Sequence, residues 1–366
     1  MFRPGILLCA AAIAAGPLAA HAAPTYNVTL IPTAAGTVNT VMRAMNNYSG
    51  TVGYSQGSNG SPWTATAYYD GRPQTLYYMN GETAIANDIS DGGVIVGTLT
   101  QYSGYTNAAI WYRGQLARLV TGGAYSSSEA AAVNASGQVV GSMNTTERGS
   151  MHAFVYDGNQ TIDLGTLGGF ESFGADINDN GAVTGGSSLI GGRRHAFVYM
   201  DGTMSDIGSL GGDSAGVAIN NDCVVAGWSY LPNQAVHAFI YADGQMIDLG
   251  TLGGWSSTAA DINNAGQVVG SSSVGNTNHA FLYTDGDMFD LNGLIDSSLG
   301  WTLTSAADIN DKGQILATGC RTGGNCASVV LSLVDGEQFY VPEPEAFTAG
   351  LAGLALFGLL RRRKQA

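Results

Sequence analysis

The amino-acid sequence predicts an all-β fold, a seven-bladed β-propeller of four-stranded antiparallel blades that is closed by the N-terminal strand. Three observations lead to this fold class: a pattern that recurs seven times, four strand-like runs within each copy, and an isolated strand-like run before the first copy. The composition agrees, since 53 of the 366 residues are glycine and short runs of Val, Ile, Thr and Tyr alternate with turn residues.

Each copy is marked by an Asn or a Ser at the end of its first strand-like run. The seven markers are Asn46, Ser90, Asn134, Asn178, Asn220, Asn263 and Asn310. Successive markers lie 42 to 47 residues apart. This period is typical of propeller blades, whereas a β-solenoid usually has a shorter period and a sandwich does not repeat so regularly.

The four strands of a copy follow from its turn residues. The first strand ends at the marker, and a turn such as Asn178–Gly181 leads into a second, Gly-x-Val-Val-Gly strand. The third is a His-Ala-Phe-x-Tyr run that alternates small and large residues, as in His279–Tyr283. The fourth, such as Met246–Leu249, follows a tight turn at Asp243-Gly244.

The ends of the repeat region predict how the ring closes. The last copy lacks a clear fourth strand after Val329–Leu333, while Tyr26–Ile31 lies at the position of a fourth strand before the first copy. We therefore expect the N-terminal strand to complete the seventh blade, which would leave no unpaired edge at the ends of the repeat region.

The N-terminus reads as a signal peptide over residues 1–22. Arg3 supplies the charged start, residues 6–15 form the apolar stretch, and Ala20-His21-Ala22 matches a cleavage site. We therefore expect the protein to leave the cytoplasm.

The C-terminus carries a second targeting segment, residues 341–366. A Pro-Glu motif at Val341, Pro342, Glu343 and Pro344 precedes an apolar run over 346–360 and a basic tail over 361–364. This order resembles the PEP-CTERM sorting signal of Gram-negative bacteria. The resemblance implies transient tethering to the inner membrane by a short transmembrane helix and processing by an exosortase near the motif. A permanent anchor remains the alternative, and both place the body outside the cytoplasm.

Charge and cysteine content limit the classes of binding partner and indicate the redox compartment. Without the two targeting segments, the body holds nine basic and 26 acidic residues, so nucleic acid is an unfavourable partner. Cys320 and Cys326 flank Arg321–Asn325, a spacing that a hairpin loop can close with a disulfide in an oxidising compartment.

The repeated phrases resemble the HAF family of extracellular repeats. His152–Tyr156 and Asp163–Gly169 carry the resemblance, and similar phrases recur at 195–212, 237–254 and 279–291. The family implies an exported repeat protein and no catalytic residues. Residues 23–340 are therefore expected to form one HAF-repeat propeller, secreted and displayed at the cell surface or in the extracellular matrix of a biofilm.

Repeated polar residues are candidates for metal binding, but structural roles explain them better. Four histidines occupy one repeat position: His152, His195, His237 and His279. We expect each to bond across neighbouring strands, because metal ligands must converge on one point. Asp176–Gly181 matches the start of a calcium loop, yet Ser187 stands where that loop needs Glu, so we interpret it as a turn. No metal or other cofactor is predicted.

Paired carboxylates, which many hydrolases use for catalysis, are not indicated by the sequence. The five Glu of the body fall at unrelated repeat positions. We therefore predict no catalytic residue and no enzyme activity.

The segments that differ between copies are better candidates for a binding site. These are the connections between second and third strands and those from one blade to the next, which emerge on the same face of a propeller. Their aromatic and basic residues are Tyr125, Phe170, Trp255, Trp301, Arg148, Arg193 and Arg194. Aromatic rings stack on sugars, and Arg binds carboxylates.

The sequence thus predicts an exported, non-catalytic binding or structural module, with exopolysaccharide or surface proteins as partners. The alternative is an extracellular propeller hydrolase or lyase that acts on polysaccharide. A cluster of carboxylates on the variable face would favour the enzyme, and an aromatic and polar groove would favour binding.

Overall fold

The computed structural model describes residues 25–58, 62–76, 82–119, 127–145, 149–321, 323–324 and 326–334. These residues form seven four-stranded antiparallel sheets, each of which is one blade. The predicted seven-bladed propeller is confirmed.

The first three blades follow the N-terminal strand β1 (Tyr26–Leu30). Blade 1 contains β2 (Thr37–Met45), β3 (Thr51–Gly57), β4 (Trp63–Tyr69) and β5 (Arg72–Thr75). Blade 2 contains β6 (Thr83–Ile89), β7 (Ile95–Thr100), β8 (Thr106–Tyr112) and β9 (Gln115–Leu119). Blade 3 contains β10 (Ser128–Val133), β11 (Val139–Asn144), β12 (Met151–Tyr156) and β13 (Thr161–Asp163).

The remaining blades continue in the same order. Blade 4 contains β14 (Gly168–Ile177), β15 (Val183–Leu189), β16 (Arg194–Met200) and β17 (Thr203–Gly208). Blade 5 contains β18 (Ser214–Ile219), β19 (Val225–Tyr230), β20 (Val236–Ala242) and β21 (Gln245–Asp248). Blade 6 contains β22 (Ser257–Ile262), β23 (Val268–Val274), β24 (Thr277–Thr284) and β25 (Asp287–Asp290). Blade 7 contains β26 (Trp301–Ile309), β27 (Ile315–Arg321), β28 (Cys326–Leu333) and β1.

Strand β1 closes the ring as predicted. It pairs antiparallel with β28, in a register that runs from Tyr26 opposite Leu333 to Leu30 opposite Val329. The first strand of each blade packs beside the first strands of both neighbouring blades, and β2 packs beside β26. These seven inner strands therefore surround a central channel without a gap.

The connection from blade 6 to blade 7 was not anticipated. Two short 3-10 turns, Leu291–Gly293 and Ser297–Leu299, lie within it, and the side chains of Asp290 and Asp296 cap them. The extra turns account for the longest step in the repeat, the 47 residues between Asn263 and Asn310.

Antiparallel topology gives the ring two different faces. The turns from first to second strand and from third to fourth strand lie on one face, which we call the turn face. The connections from second to third strand and from each fourth strand to the next blade lie on the other, which we call the loop face. The predicted binding residues that the structure describes lie on the loop face: Phe170, Arg193, Arg194, Trp255 and Trp301.

The hydrophobic core lies between neighbouring blades. The phenylalanine of the His-Ala-Phe run is fully buried in four blades, at Phe154, Phe197, Phe239 and Phe281. Phe197, for example, belongs to a buried cluster that includes Val140 of the preceding blade. Burial of such a side chain contributes about 1.5–3 kcal/mol, so the repeated phrase encodes the contact between blades.

The glycine opposite each of these phenylalanines is required by the bulged inner strand. In blade 4, Gly185 pairs with Phe197, and a Cβ atom at Gly185 would lie 1.9 Å from the carbonyl oxygen of Phe173. The inner strand has a bulge between Gly174 and Asp176, which brings that carbonyl close. The Gly-x-Val-Val-Gly run therefore ends in glycine for packing reasons.

Candidate functional site

The four repeated histidines lie on the third strands of blades 3 to 6, and each bonds to the neighbouring fourth strand as predicted. In each pair, Nδ1 of the imidazole lies 2.6–2.9 Å from a carboxylate oxygen. The pairs are His152–Asp163, His195–Asp206, His237–Asp248 and His279–Asp290.

The aspartate of each pair also starts the connection to the next blade. Asp206 accepts a hydrogen bond from the backbone N–H of Gly208 at 2.7 Å. The hydroxyl of Ser214, at the start of the next inner strand, donates to the carbonyl of Gly208 and accepts from the N–H of Ala196. The repeated aspartates and serines therefore join successive blades and belong to the scaffold.

The marker asparagines form a ring at the turn-face end of the central channel. The Nδ2 atom of each donates to the backbone carbonyl of the next marker at 2.9–3.2 Å, and Asn310 donates to Asn46 across the closure. Ser90 is the exception, because its side chain has no amide group. The marker is thus explained by contacts between blades, which comparison of the copies alone did not reveal.

Four aspartates lie two residues before a marker and line the same end of the channel. They are Asp88, Asp176, Asp261 and Asp308, and we call them the channel aspartates. The equivalent residues of blades 1, 3 and 5 are Ala44, Ala132 and Ala218. Asp176, Asp261 and Asp308 line a cavity of about 200 Å³ together with the markers.

Three of the channel aspartates accept hydrogen bonds from backbone N–H groups of their own blade and of the next blade, and the fourth accepts one from the next blade only. Asp176 accepts from Ile177 in its own strand and from Ile219 in the next blade, both at 2.7 Å. Asp88 does the same for Ile89 and Val133.

At the closure one aspartate, Asp308, serves a single N–H group instead of two. Asp261 accepts from Ile262 and Ile309, and Asp308 accepts from Met45 of blade 1. Four carboxylates thus serve the equivalent N–H group of all seven inner strands. Because seven is odd, two aspartates must stand in adjacent blades, and these are blades 6 and 7.

Burial of the channel aspartates shifts their titration. Desolvation in the channel raises the pKa of Asp176 to about 7 and the pKa values of Asp88 and Asp261 to about 6. It also raises the pKa of Asp308 well above its ordinary value, and repulsion from Asp261 adds to this effect. These are structural carboxylates whose charge is held in an unfavourable environment.

The predicted aromatic residues of the loop face differ in accessibility. Phe170 is 70% exposed and Trp255 is 62% exposed, at the entrances to blades 4 and 6. Trp301 of blade 7 is only partly exposed, and the guanidinium of Arg321 lies 4.5 Å from the centre of its ring. The ring contacts among the described residues do not join these three side chains, so they form separate contact points around the channel.

The two predicted arginines that the structure describes also differ in accessibility. Arg193 is exposed on the loop between β15 and β16, whereas Arg194 is half-buried and its guanidinium lies 5.2 Å from the centre of the Phe173 ring. Arg194 therefore supports the scaffold, and Arg193 is the one available to a ligand. Its loop also carries Ile190, which is 87% exposed beside Gly168. Ile190 was missed because an aliphatic residue in a loop gives no chemical signal.

Several predicted features lie outside the described residues. They are the signal peptide, Tyr125, Arg148, and the C-terminal segment with Val341, Pro342, Glu343 and Pro344. In the described part of the chain, no helix has the length and hydropathy needed to cross a bilayer. Cys320 and Cys326 form a disulfide, as their spacing indicated, between β27 and β28 on the loop face.

Comparison with solved structures supports the fold. The β-propeller domain of the Trilobed protease from Pyrococcus furiosus superposes with a TM-score of 0.57 at 10% identity, over 86% of this chain and 99% of that domain. The Pyrococcus horikoshii acylaminoacyl peptidase gives 0.52 at 12% identity, over 83% of this chain and 53% of that one. A puromycin hydrolase gives 0.52 at 9% identity, over 84% and 55% of the two chains.

These similarities are to the propeller alone. The chain spans about half the length of the peptidase and of the puromycin hydrolase. At such low identity the likeness concerns the fold and not the activity. No family model matches the sequence, and no curated protein matches it.

Proposed function

We propose that the protein is an exported, non-catalytic propeller that binds exopolysaccharide or a surface protein through its loop face. The observation that supports this most directly is that the repeated polar side chains and the exposed variable side chains form two separate sets. The repeated polar residues bind one another or the backbone, while Ile190, Arg193 and Trp255 project into solvent from loops that differ between blades, and Phe170 does so from the irregular start of β14. Exposed aromatic and basic groups on a rigid ring suit a polar ligand with apolar faces.

The cellular setting is part of the proposal. The resemblances to HAF repeats and to the PEP-CTERM signal support export, tethering at the inner membrane, exosortase processing and release to the cell surface. The alternative, a propeller hydrolase or lyase, has less support. The carboxylates and imidazoles that recur on the described strands are engaged in scaffold hydrogen bonds.

The proposal is tested by the double variant Phe170→Ala/Trp255→Ala. Loss of two stacking rings, at about 0.5–1.5 kcal/mol each, predicts an affinity lower by about five- to a hundredfold. The measurement is retention on immobilised polysaccharides chosen from a glycan array. Tyr48→Ala is the matched control, because Tyr48 is equally exposed but lies on the turn face. Unchanged retention of the double variant would contradict the proposal.

A further inference from the structure

A second cavity lies far from the loop face, between blades 1 and 2. Its volume is about 340 Å³, and it opens on the turn face among Tyr69, Tyr112 and Arg113. Its floor is formed by the buried side chains of Ile95 and Trp111. Small-molecule sites have volumes of roughly 300–1,000 Å³, so this cavity suits one small ligand and not a polymer segment.

The absence of a side chain at Gly92 in blade 2 leaves the mouth of this cavity open. The second residue after the marker is Gly92 in blade 2, whereas the other six copies carry a side chain there: Tyr48, Ser136, Asn180, Asp222, Ala265 and Lys312. A Cβ atom at Gly92 would meet only the hydroxyl of Ser90, at 3.7 Å. The space at the mouth is therefore free and not required by backbone packing.

Arg113 departs from its counterparts in the other blades. The turns between third and fourth strands carry Asp-Gly in blades 1, 3, 4, 5 and 6, and Arg113-Gly114 in blade 2. Arg113 has φ +50°, the left-handed region that Asp tolerates better than Arg. A long cation thus replaces a short anion at a strained position, with its guanidinium 5.1 Å from the centre of the Tyr112 ring.

The charged side chain that lines the mouth is a cation, although the molecule as a whole is acidic. The sequence carries a net charge of −14, yet no acidic side chain is among the described residues that line this cavity. Arg113 supplies a guanidinium, Gln74 supplies an amide, and Tyr69 presents an aromatic ring that is partly exposed. Rings stack on the apolar face of a sugar, amides bind hydroxyls, and guanidinium binds carboxylates.

We propose that the cavity between blades 1 and 2 binds a single sugar residue that carries a carboxylate, a hexuronate. Arg113 holds the carboxylate, Gln74 binds ring hydroxyls, and Tyr69 packs against the apolar face of the sugar. This site is independent of the proposed function of the loop face. It gives the ring a second, turn-face contact with acidic polysaccharide ends or with free acidic sugars.

The test is calorimetric titration of the protein with glucuronate, galacturonate and glucose, with tryptophan fluorescence as a second readout because Trp111 lines the floor. At least one uronate should bind about tenfold more tightly than glucose, the difference expected for one charge-assisted hydrogen bond. Arg113→Asp installs the residue of the related turns, so it should fold normally and lose that tenfold preference. Gly92→Asn, which installs the residue found in blade 4, should block the mouth and abolish binding.

Asp243→Arg is the matched control, since it places Arg in the equivalent turn of blade 5 and should leave uronate binding unchanged. Absence of uronate binding by the wild type, equal binding of glucose, or unchanged binding by Arg113→Asp would each overturn the proposal. The Phe170→Ala/Trp255→Ala variant should retain uronate binding, so that failure of the loop-face function and failure of this site are distinguishable.

Discussion

At the scale of single residues, the channel aspartates show how one side chain can serve two blades. Each inner strand presents one N–H group to the channel, and Asp88, Asp176 and Asp261 each bind two of these groups. Asp308 has one remaining partner, Met45, because Ile309 already donates to Asp261. Asp and Ala therefore alternate between copies because the Asp of one blade also binds the N–H group of the next blade.

This difference predicts unequal effects of the same substitution. Asp176→Ala leaves the N–H groups of Ile177 and Ile219 without their acceptor, whereas Asp308→Ala leaves only that of Met45. Since each buried unsatisfied donor costs about 1–3 kcal/mol, Asp176→Ala should lower the free energy of unfolding by about 1–3 kcal/mol more. Urea denaturation of the two variants measures the difference. Equal losses, or a larger loss for Asp308→Ala, would refute the sharing of carboxylates.

Some residue roles could be predicted from sequence and others could not. The histidines were correctly assigned to a bond across strands, because their recurrence at one repeat position argued for a scaffold role. The channel aspartates were not recognised, since comparison of aligned copies makes Asp176 and Ala132 look like unrelated variation. Their meaning depends on contacts between copies, which an alignment of repeats does not contain.

At the scale of elements, the seven inner strands are held together by carboxylates whose pKa values are raised by burial. Asp88, Asp176, Asp261 and Asp308 face one another across the channel, and Asp311 lies at its rim. Arg43 of β2 also belongs to an inner strand, where it donates to Asn87 at 2.6 Å. Packing of the strands around a narrow channel therefore forces carboxylates into a poorly hydrated space.

The raised pKa values predict a pH dependence of stability with a definite sign. Between about pH 4 and about pH 7 the folded protein binds more protons at these sites than the unfolded chain does, so the free energy of unfolding falls as the pH rises. Each unit by which a pKa is raised corresponds to about 1.4 kcal/mol. The protein should therefore be more stable at pH 5 than at pH 8, as measured by urea denaturation at both values.

The variant Asp308→Ala provides the control for this pH dependence. It removes one of the two adjacent carboxylates, so the difference in stability between pH 5 and pH 8 should shrink. Stability that is flat or that rises from pH 5 to pH 8 in the wild type would show that the channel carboxylates do not titrate as described. Asp157 and Asp296, whose pKa values are lowered by hydrogen bonds, act in the opposite direction only at more acidic pH.

At the scale of the whole molecule, repetition and variation have separate consequences. The repeat spacing was sufficient to predict seven blades, four strands in each and closure by β1, because every blade buries the same residues against its neighbours. The binding residues were only partly predictable. Arg194 and Trp301 are engaged by Phe173 and Arg321, and such local pairing cannot be read from loop composition.

Closure of the ring by β1 is the claim on which both proposed binding sites depend, because each needs blades held in fixed positions. Hydrogen exchange followed by mass spectrometry tests it directly. Peptides that cover Tyr26–Leu30 should be protected like those of the other outer strands, such as Gln245–Asp248, since β1 pairs with β28 in an antiparallel ladder. Exchange of the N-terminal peptide at the rate of an unpaired chain would contradict the closed seven-bladed ring.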